Sequence, residues 1–144
     1  MAGPCVFCDI VRAEVPAHVV HTDDAVFAFL DHSPLLLGHT LVMLREHVDS
    51  LDDLTDEQTA TLFGAVRRMS IAVQRALGAD GSLIMANTRV SQSVPHVHVH
   101  VVPRRRGDGL FSQKMLWRRM AYERDAQAKE IALKIRAAYA AIER

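Results

Sequence analysis

Histidine and valine alternate strictly over His96-Val97-His98-Val99-His100, and this alternation limits what the chain can fold into more than any other feature of its sequence. A period of two belongs to a β-strand, whose successive side chains point to opposite faces. Val97, Val99 and Val101 therefore pack on a core, while His96, His98 and His100 line the other face at roughly 7 Å intervals. Pro95 and Pro103 bracket the run, and proline is confined to the ends or edges of strands. A strand over 95–102 is expected, with three imidazoles gathered by the backbone itself.

An imidazole of ordinary pKa, about 6.5, is mostly neutral near pH 7, so one ring can attack as a nucleophile while a neighbour holds or delivers a proton. The middle ring, His98, is best placed for attack. Its neighbours can orient its tautomer and protonate a leaving group. Two other readings stay open on the residues alone: histidines at i and i+2 on one strand can share a zinc ion, and three histidines can simply be solvated on an edge strand. Cys5 and Cys8, the only cysteines, are too close together to staple a fold, which leaves free thiols, a redox pair or metal ligands. A thioredoxin-like site would sit between a strand and a helix, whereas only four residues precede Cys5.

The rest of the chain supplies the frame. At 144 residues a single domain, 1–144, is expected. Segments rich in β-branched and aromatic residues at 19–21, 25–30, 39–44 and 83–87 read as further strands. Thr55-Asp56-Glu57-Gln58 has capping-box spacing, and Leu62, Phe63, Val66, Met69, Val73, Ala76 and Leu77 follow at helical intervals until Gly78. A second amphipathic helix is expected from about Asp125 to Ile142, striped by Ile131, Ile135, Ala138, Tyr139 and Ile142. The main helix falls between the third and fourth strands without regular alternation. That order predicts an α+β fold: a five-stranded antiparallel sheet with one main helix and a C-terminal helix.

Charge and hydropathy narrow the function classes. The net charge is zero, which argues against a nucleic-acid binder held by phosphate neutralisation. The zero hides an asymmetry, with 6 basic against 12 acidic residues up to Pro103 and 11 against 5 from Arg104 onward. The tail's charges read first as the solvated face of a helix; the alternative is that Arg104, Arg105 and Arg106, just after the histidines, help attract an anionic ligand. No apolar stretch approaches the roughly 18 residues of a membrane span, and Met1-Ala2-Gly3-Pro4 lacks a signal-peptide profile, so neither membrane nor secretion is expected and the cytoplasm is. Phe111 and Trp117, in the tail, read more readily as core anchors than as substrate contacts.

His96-Val97-His98-Val99-His100-Val101-Val102 resembles the signature of the histidine triad superfamily of nucleotide hydrolases and transferases. Cys5-Val6-Phe7-Cys8-Asp9-Ile10 is similar to the opening of many microbial members, Phe29-Leu30-Asp31 to their nucleoside-contacting strand, Gly38-His39-Thr40-Leu41-Val42 to the next strand, and Gln92-Ser93-Val94 to their approach to the triad. The resemblance covers about 5–110 and leaves 111–144 as a C-terminal extension. It implies the Hint-like branch, a phosphoramidase or hydrolase acting on a purine nucleoside monophosphate of AMP type joined to an amine, acyl or phosphate leaving group. A Fhit-like dinucleoside polyphosphate hydrolase and a non-catalytic nucleotide-binding regulator are the alternatives.

Residue by residue, the resemblance implies that His98 is the nucleophile, that His100 contacts the phosphate and leaving group, and that His39 supports the site. Asp31 would bind ribose hydroxyls with Leu30 beside the base, and Gln92 and Ser93 would bind phosphate oxygens. On their own residues, the lesser alternatives are that His39 is a satisfied core histidine and Asp31 a turn cap before Ser33-Pro34. Asn87 would be a ribose or phosphate contact, although the loop from Asn87 to Ser91 is shorter than the commonest family form and lacks its glycines. In microbial relatives with this opening, the counterparts of Cys5, Cys8, His47 and His96 hold a structural zinc. The resemblance also implies a homodimer, with sheets paired edge to edge and the helix after Thr55 at the interface. His18, His21 and His32 match no family role.

Overall fold

The computed structural model describes residues 3–112 and 119–142. In chain order come a short helix α1 (Val6–Val11), strands β1 (Val19–Thr22), β2 (Val26–Leu30) and β3 (Thr40–Leu44), a 3-10 turn (Leu51–Asp53), helix α2 (Asp56–Leu77), strands β4 (Gly81–Met85) and β5 (His98–Arg104), and helix α3 (Asp125–Ala140). The strands form one antiparallel sheet in the order β1-β2-β3-β5-β4. This is the α+β architecture expected, with α1 in addition.

Helix α2 begins where its capping box predicts: Gln58 N–H donates to Thr55 Oγ1 (3.1 Å) and Thr55 N–H to Gln58 Oε1 (2.9 Å). Gly78, left-handed at φ 60°, ends it. Leu62, Val66, Met69 and Val73 of α2 and Ala132, Ile135 and Tyr139 of α3 pack on one face of the sheet, against Val20, Val26, Ala28, Val42, Val99 and Val101. On the other face Phe27, Phe29, Leu41 and Met43 are covered by Cys5 and Phe7. Both faces of β2 and β3 are thus buried, which explains why VFAFL, and TLVML after its opening threonine, are apolar rather than alternating. Helix α1 has only six residues and no side-chain cap at Cys5, too little for a periodic signal.

Two strands differ from expectation at their ends. β4 runs 81–85 rather than 83–87, because pairing starts where Gly81 meets Arg104. β5 starts at His98: Val97 N–H donates to Val48 O (2.8 Å), so the residues before it are held by the loop after β3 instead of the ladder. The alternation survives, since Val97, Val99 and Val101 all lie in the core under α2. Pro103 lies inside β5 opposite Ser82, beyond the last β3 pair of Thr40 with Val101, so it has a strand neighbour on one side only. Gly38 turns the chain into β3 with φ 97°, and a Cβ there would fall 2.3 Å from Leu77 Cδ1. That close approach sets the path of the next residue, His39.

Candidate active site and metal centre

β5 runs between β3 and β4, with His98 opposite Met43 and His100 between Leu41 and Met85. Hydrogen bonds decide which nitrogen of each ring carries the proton. Leu35 N–H donates to His39 Nδ1 (3.1 Å), so His39 keeps its proton on Nε2 and donates it to His100 Nδ1 (2.8 Å). His100 must then hold its own proton on Nε2. His98 is the reverse: its Nδ1–H donates to the His96 carbonyl (2.7 Å), which leaves a lone pair on Nε2. The His98 and His100 rings sit 5.1 Å apart between centroids, and the Phe7 ring stands nearly perpendicular to that of His98 with centroids 4.9 Å apart. Burial, the main cause in each case, pushes His39 down to about 3, His100 down to about 4 and His98 below its ordinary value. Near pH 7 the site therefore presents one neutral ring as an acceptor beside another as a donor.

His98 and His100 open onto a cavity of about 1020 Å³, walled by Phe7 and Ile10 of α1, Phe29 and Leu30 of β2, and Ala128 and Lys129 of α3. That is ample for a nucleotide-sized ligand. Asp31 and Ser33 also line it. Asp31 is buried and doubly engaged, Oδ1 accepting from Ser33 N–H (2.8 Å) and Oδ2 from Arg119 (3.1 Å), with His39 Nε2 3.7 Å away. His39 is fully buried behind His100 and does not line the cavity. From the loop before the triad, Ser93 reaches the cavity and Asn87 and Gln92 do not. Asn87 donates to Ser91 O (3.0 Å), while Gln92 accepts from Arg89 N–H (2.8 Å) and donates to Asp49 O. The loop holds Arg89 and Ser91 in left-handed conformations, φ 65° and 60°, with Arg89 tied to Asp52 (2.9 Å).

Arg104, Arg105 and Arg106 point elsewhere. Arg104 pairs with Asp108 (2.6 Å) under the Phe111 ring, Arg105 caps the end of α2 at Leu77 O, and Arg106 N–H donates to Asp80. Among the described residues, Arg119, Arg124 and Lys129 are the basic side chains that line the cavity, and His18, 3.0 Å from Asp125, lines it as well. Arg119 and Arg124 had no signal in the sequence, because the segment before α3 has no period, and the helical stripe of α3 does not single out Lys129. Phe111 is no core anchor, being 62 % exposed; Trp117 lies outside the described residues.

Beside the triad, Cys5, Cys8, His47 and His96 bring one ligand atom each within 4.8 Å of all the others. Cys5 Sγ and Cys8 Sγ lie 3.6 Å from His96 Nδ1, and Cys8 Sγ lies 3.3 Å from His47 Nδ1. A tetrahedral zinc with Zn–S of about 2.3 Å and Zn–N of about 2.05 Å would space such pairs by about 3.6 Å. The imidazoles are presented correctly for a metal: His96 Nε2–H donates to Leu44 O (2.8 Å) and His47 Nε2–H to Asp49 (2.7 Å), so both Nδ1 lone pairs face the thiols. The donor set fits a closed, tetrahedral ion. Asp31, His39 and His100 also cluster within 4.8 Å, but their facing atoms are already joined to one another or to Arg119.

An antiparallel sheet whose inner strand presents neutral histidines of opposite tautomer to a cavity defines a domain of the histidine triad class. The HIT domain model matches residues 12–107, and the chain belongs to that family. An uncharacterized HIT-like protein of Methanocaldococcus jannaschii is 41% identical over 107 residues, 73% of this chain and 82% of that protein. The adenosine 5'-monophosphoramidase of Schizosaccharomyces pombe is 33% identical over 69% of this chain and 74% of its own length. Among solved structures, a zinc-bound histidine triad family protein from Mycobacterium smegmatis superposes with a TM-score of 0.80 at 36% identity, covering 94% of this chain and 93% of that one.

Proposed function

We propose that the chain is a nucleotide phosphoramidase or hydrolase acting at the α-phosphate of purine nucleotides through a covalent nucleotidyl group on His98. The observation that carries this reading is the pair of opposed tautomers at the cavity floor: a lone pair on His98 Nε2 beside a proton on His100 Nε2. The His98 lone pair attacks the α-phosphorus, and the bond to the leaving group breaks with its electron pair. His100 Nε2–H donates to the atom that departs or to a phosphate oxygen and stabilises the charge developing there. Its Nδ1 is already committed to the His39 proton, so His100 holds a hydrogen bond and a departing amine completes its protonation from water. Water then attacks the same phosphorus, breaks the phosphorus–nitrogen bond and releases the nucleoside monophosphate. Asp31 takes the ribose hydroxyls, Leu30 flanks the base, and Ser93 contacts phosphate. The activity named for the fission-yeast relative supports this chemistry.

Zinc is the metal we assign to Cys5, Cys8, His47 and His96. It would supply structure, since all four positions are protein ligands and none is left for substrate. We also infer a homodimer paired along β4, an edge strand that keeps Ile84 exposed. The test of function is turnover of adenosine phosphoramidate against diadenosine polyphosphates by wild type and His98→Asn. Wild type should prefer the phosphoramidate, and quenching in alkaline denaturant, where a phosphorus–nitrogen bond to imidazole survives, should trap up to one nucleotidyl group per chain. The variant should lose roughly a thousandfold or more. Unchanged turnover in His98→Asn would remove the nucleophile from this account.

A further inference from the structure

One cation in the cavity is held in an unusual place. Arg119 lies between β5 and α3, and its Nη1 donates both to Asp31 Oδ2 (3.1 Å) and to the carbonyl of Ser33 (2.7 Å). Its neighbours tie the same segment to the turn before β3: Met120 N–H donates to Pro34 O (2.6 Å), and Tyr122 OH accepts from Gly38 N–H (3.1 Å). Asp31 is buried, but half of the Arg119 side chain is exposed to the cavity and solvent. Asp31 stands 3.7 Å from His39, which holds His100, so the guanidinium sits at the triad end of the cavity. Its positive charge is one of the influences lowering His39 and His100.

We propose that Arg119 is a specificity-determining residue that reads the charge of the group joined to the α-phosphate, narrowing the site's preference for an amine by assisting a small anionic leaving group such as sulfate. The inference rests on the nucleotide reading above. A phosphate, sulfate or carboxylate departs carrying negative charge, and a planar fork of N–H donors stabilises that charge as it develops. A departing amine ends as an ammonium ion and meets only repulsion from a guanidinium. Ribose hydroxyls arriving at Asp31 compete for the carboxylate lone pairs that hold Arg119. An ion pair half open to water is readily exchanged, so sugar binding frees the guanidinium beside the phosphates. In the absence of nucleotide the same contact keeps the buried carboxylate paired.

The test compares wild type, Arg119→Gln and Arg119→Lys on adenosine 5'-phosphosulfate and adenosine 5'-phosphoramidate, with calorimetric Kd values for ADP and AMP. In Arg119→Gln the ratio of kcat/KM for the sulfate compound to that for the amide should fall about tenfold, the size expected for losing a hydrogen bond to a charged group. The ADP-to-AMP affinity ratio should fall by a similar factor, and lysine should restore part of both. Equal losses on both substrates, or an unchanged ADP-to-AMP ratio, would overturn the proposal. Should wild type turn over neither compound, the hydrolase reading fails, and the ADP-to-AMP ratio still decides the role of Arg119.

Discussion

His39 never reaches the cavity, yet it determines which nitrogen of His100 carries a proton. It is therefore a positioning residue, and the distinction is measurable. His39→Leu would leave His100 Nδ1 buried without a donor and free the ring to flip its tautomer, so kcat should fall roughly ten- to hundredfold, as for other partners that orient an imidazole, with little change in KM. His39→Gln, whose amide N–H can still donate, should recover part of the loss. If both variants are impaired to the same degree, His39 is packing alone. The triad itself was legible in the sequence, because a period of two is a direct readout of facing side chains. The partners that fix its protons were not: Leu35 N–H is a backbone group with no sequence signature, and Arg119 meets Asp31 across 88 positions of chain.

At the scale of elements, α1 joins the proposed zinc ligands to the triad. Cys5 is its N-cap and Cys8 lies within it, while Phe7 between them packs edge-on against both Phe29 and His98. With zinc bound, six residues that could not hold a helix alone are pinned to the sheet. Purified without chelator, the protein should contain about one zinc per chain. Chelation should lower Tm by on the order of 5–10 °C, and by more than it lowers the turnover of protein that stays folded. A metal content well below stoichiometric would return Cys5 and Cys8 to ordinary reduced thiols. Helix α2 contrasts with α1 in legibility, since its capping box and terminal glycine are local signals, whereas α1 depends on contacts with residues far along the chain. The ends of β4 and β5 are not legible in the sequence for the same reason, being set by partners rather than by their own residues.

For the whole molecule, the buried imidazoles make stability depend on pH with a definite sign. His39 and His100 resist protonation when folded, down to about 3 and about 4, but take up protons near 6.5 when unfolded. The unfolded chain then binds more protons, so stability is complete above about pH 6.5 and falls as the pH drops toward 4, by up to about 1.4 kcal/mol per pH unit for each ring. Urea midpoints measured between pH 7.5 and 4.5 should decline accordingly, and His39→Gln should flatten the slope; an unchanged slope would show that other groups govern it. The proposed pairing along β4 is checked by sedimentation, where a concentration-independent monomer of 16.0 kDa would exclude it.

The chain of hydrogen bonds behind the triad ends on the amide of Leu35, a group that does not ionise. It is a dead end for protons. His39 can neither receive a proton from the protein interior nor pass one on, so the relay works as a rigid brace and not as a wire. In the proposed cycle, protons would then be exchanged through the open mouth of the cavity rather than conducted along the hydrogen bonds behind the triad.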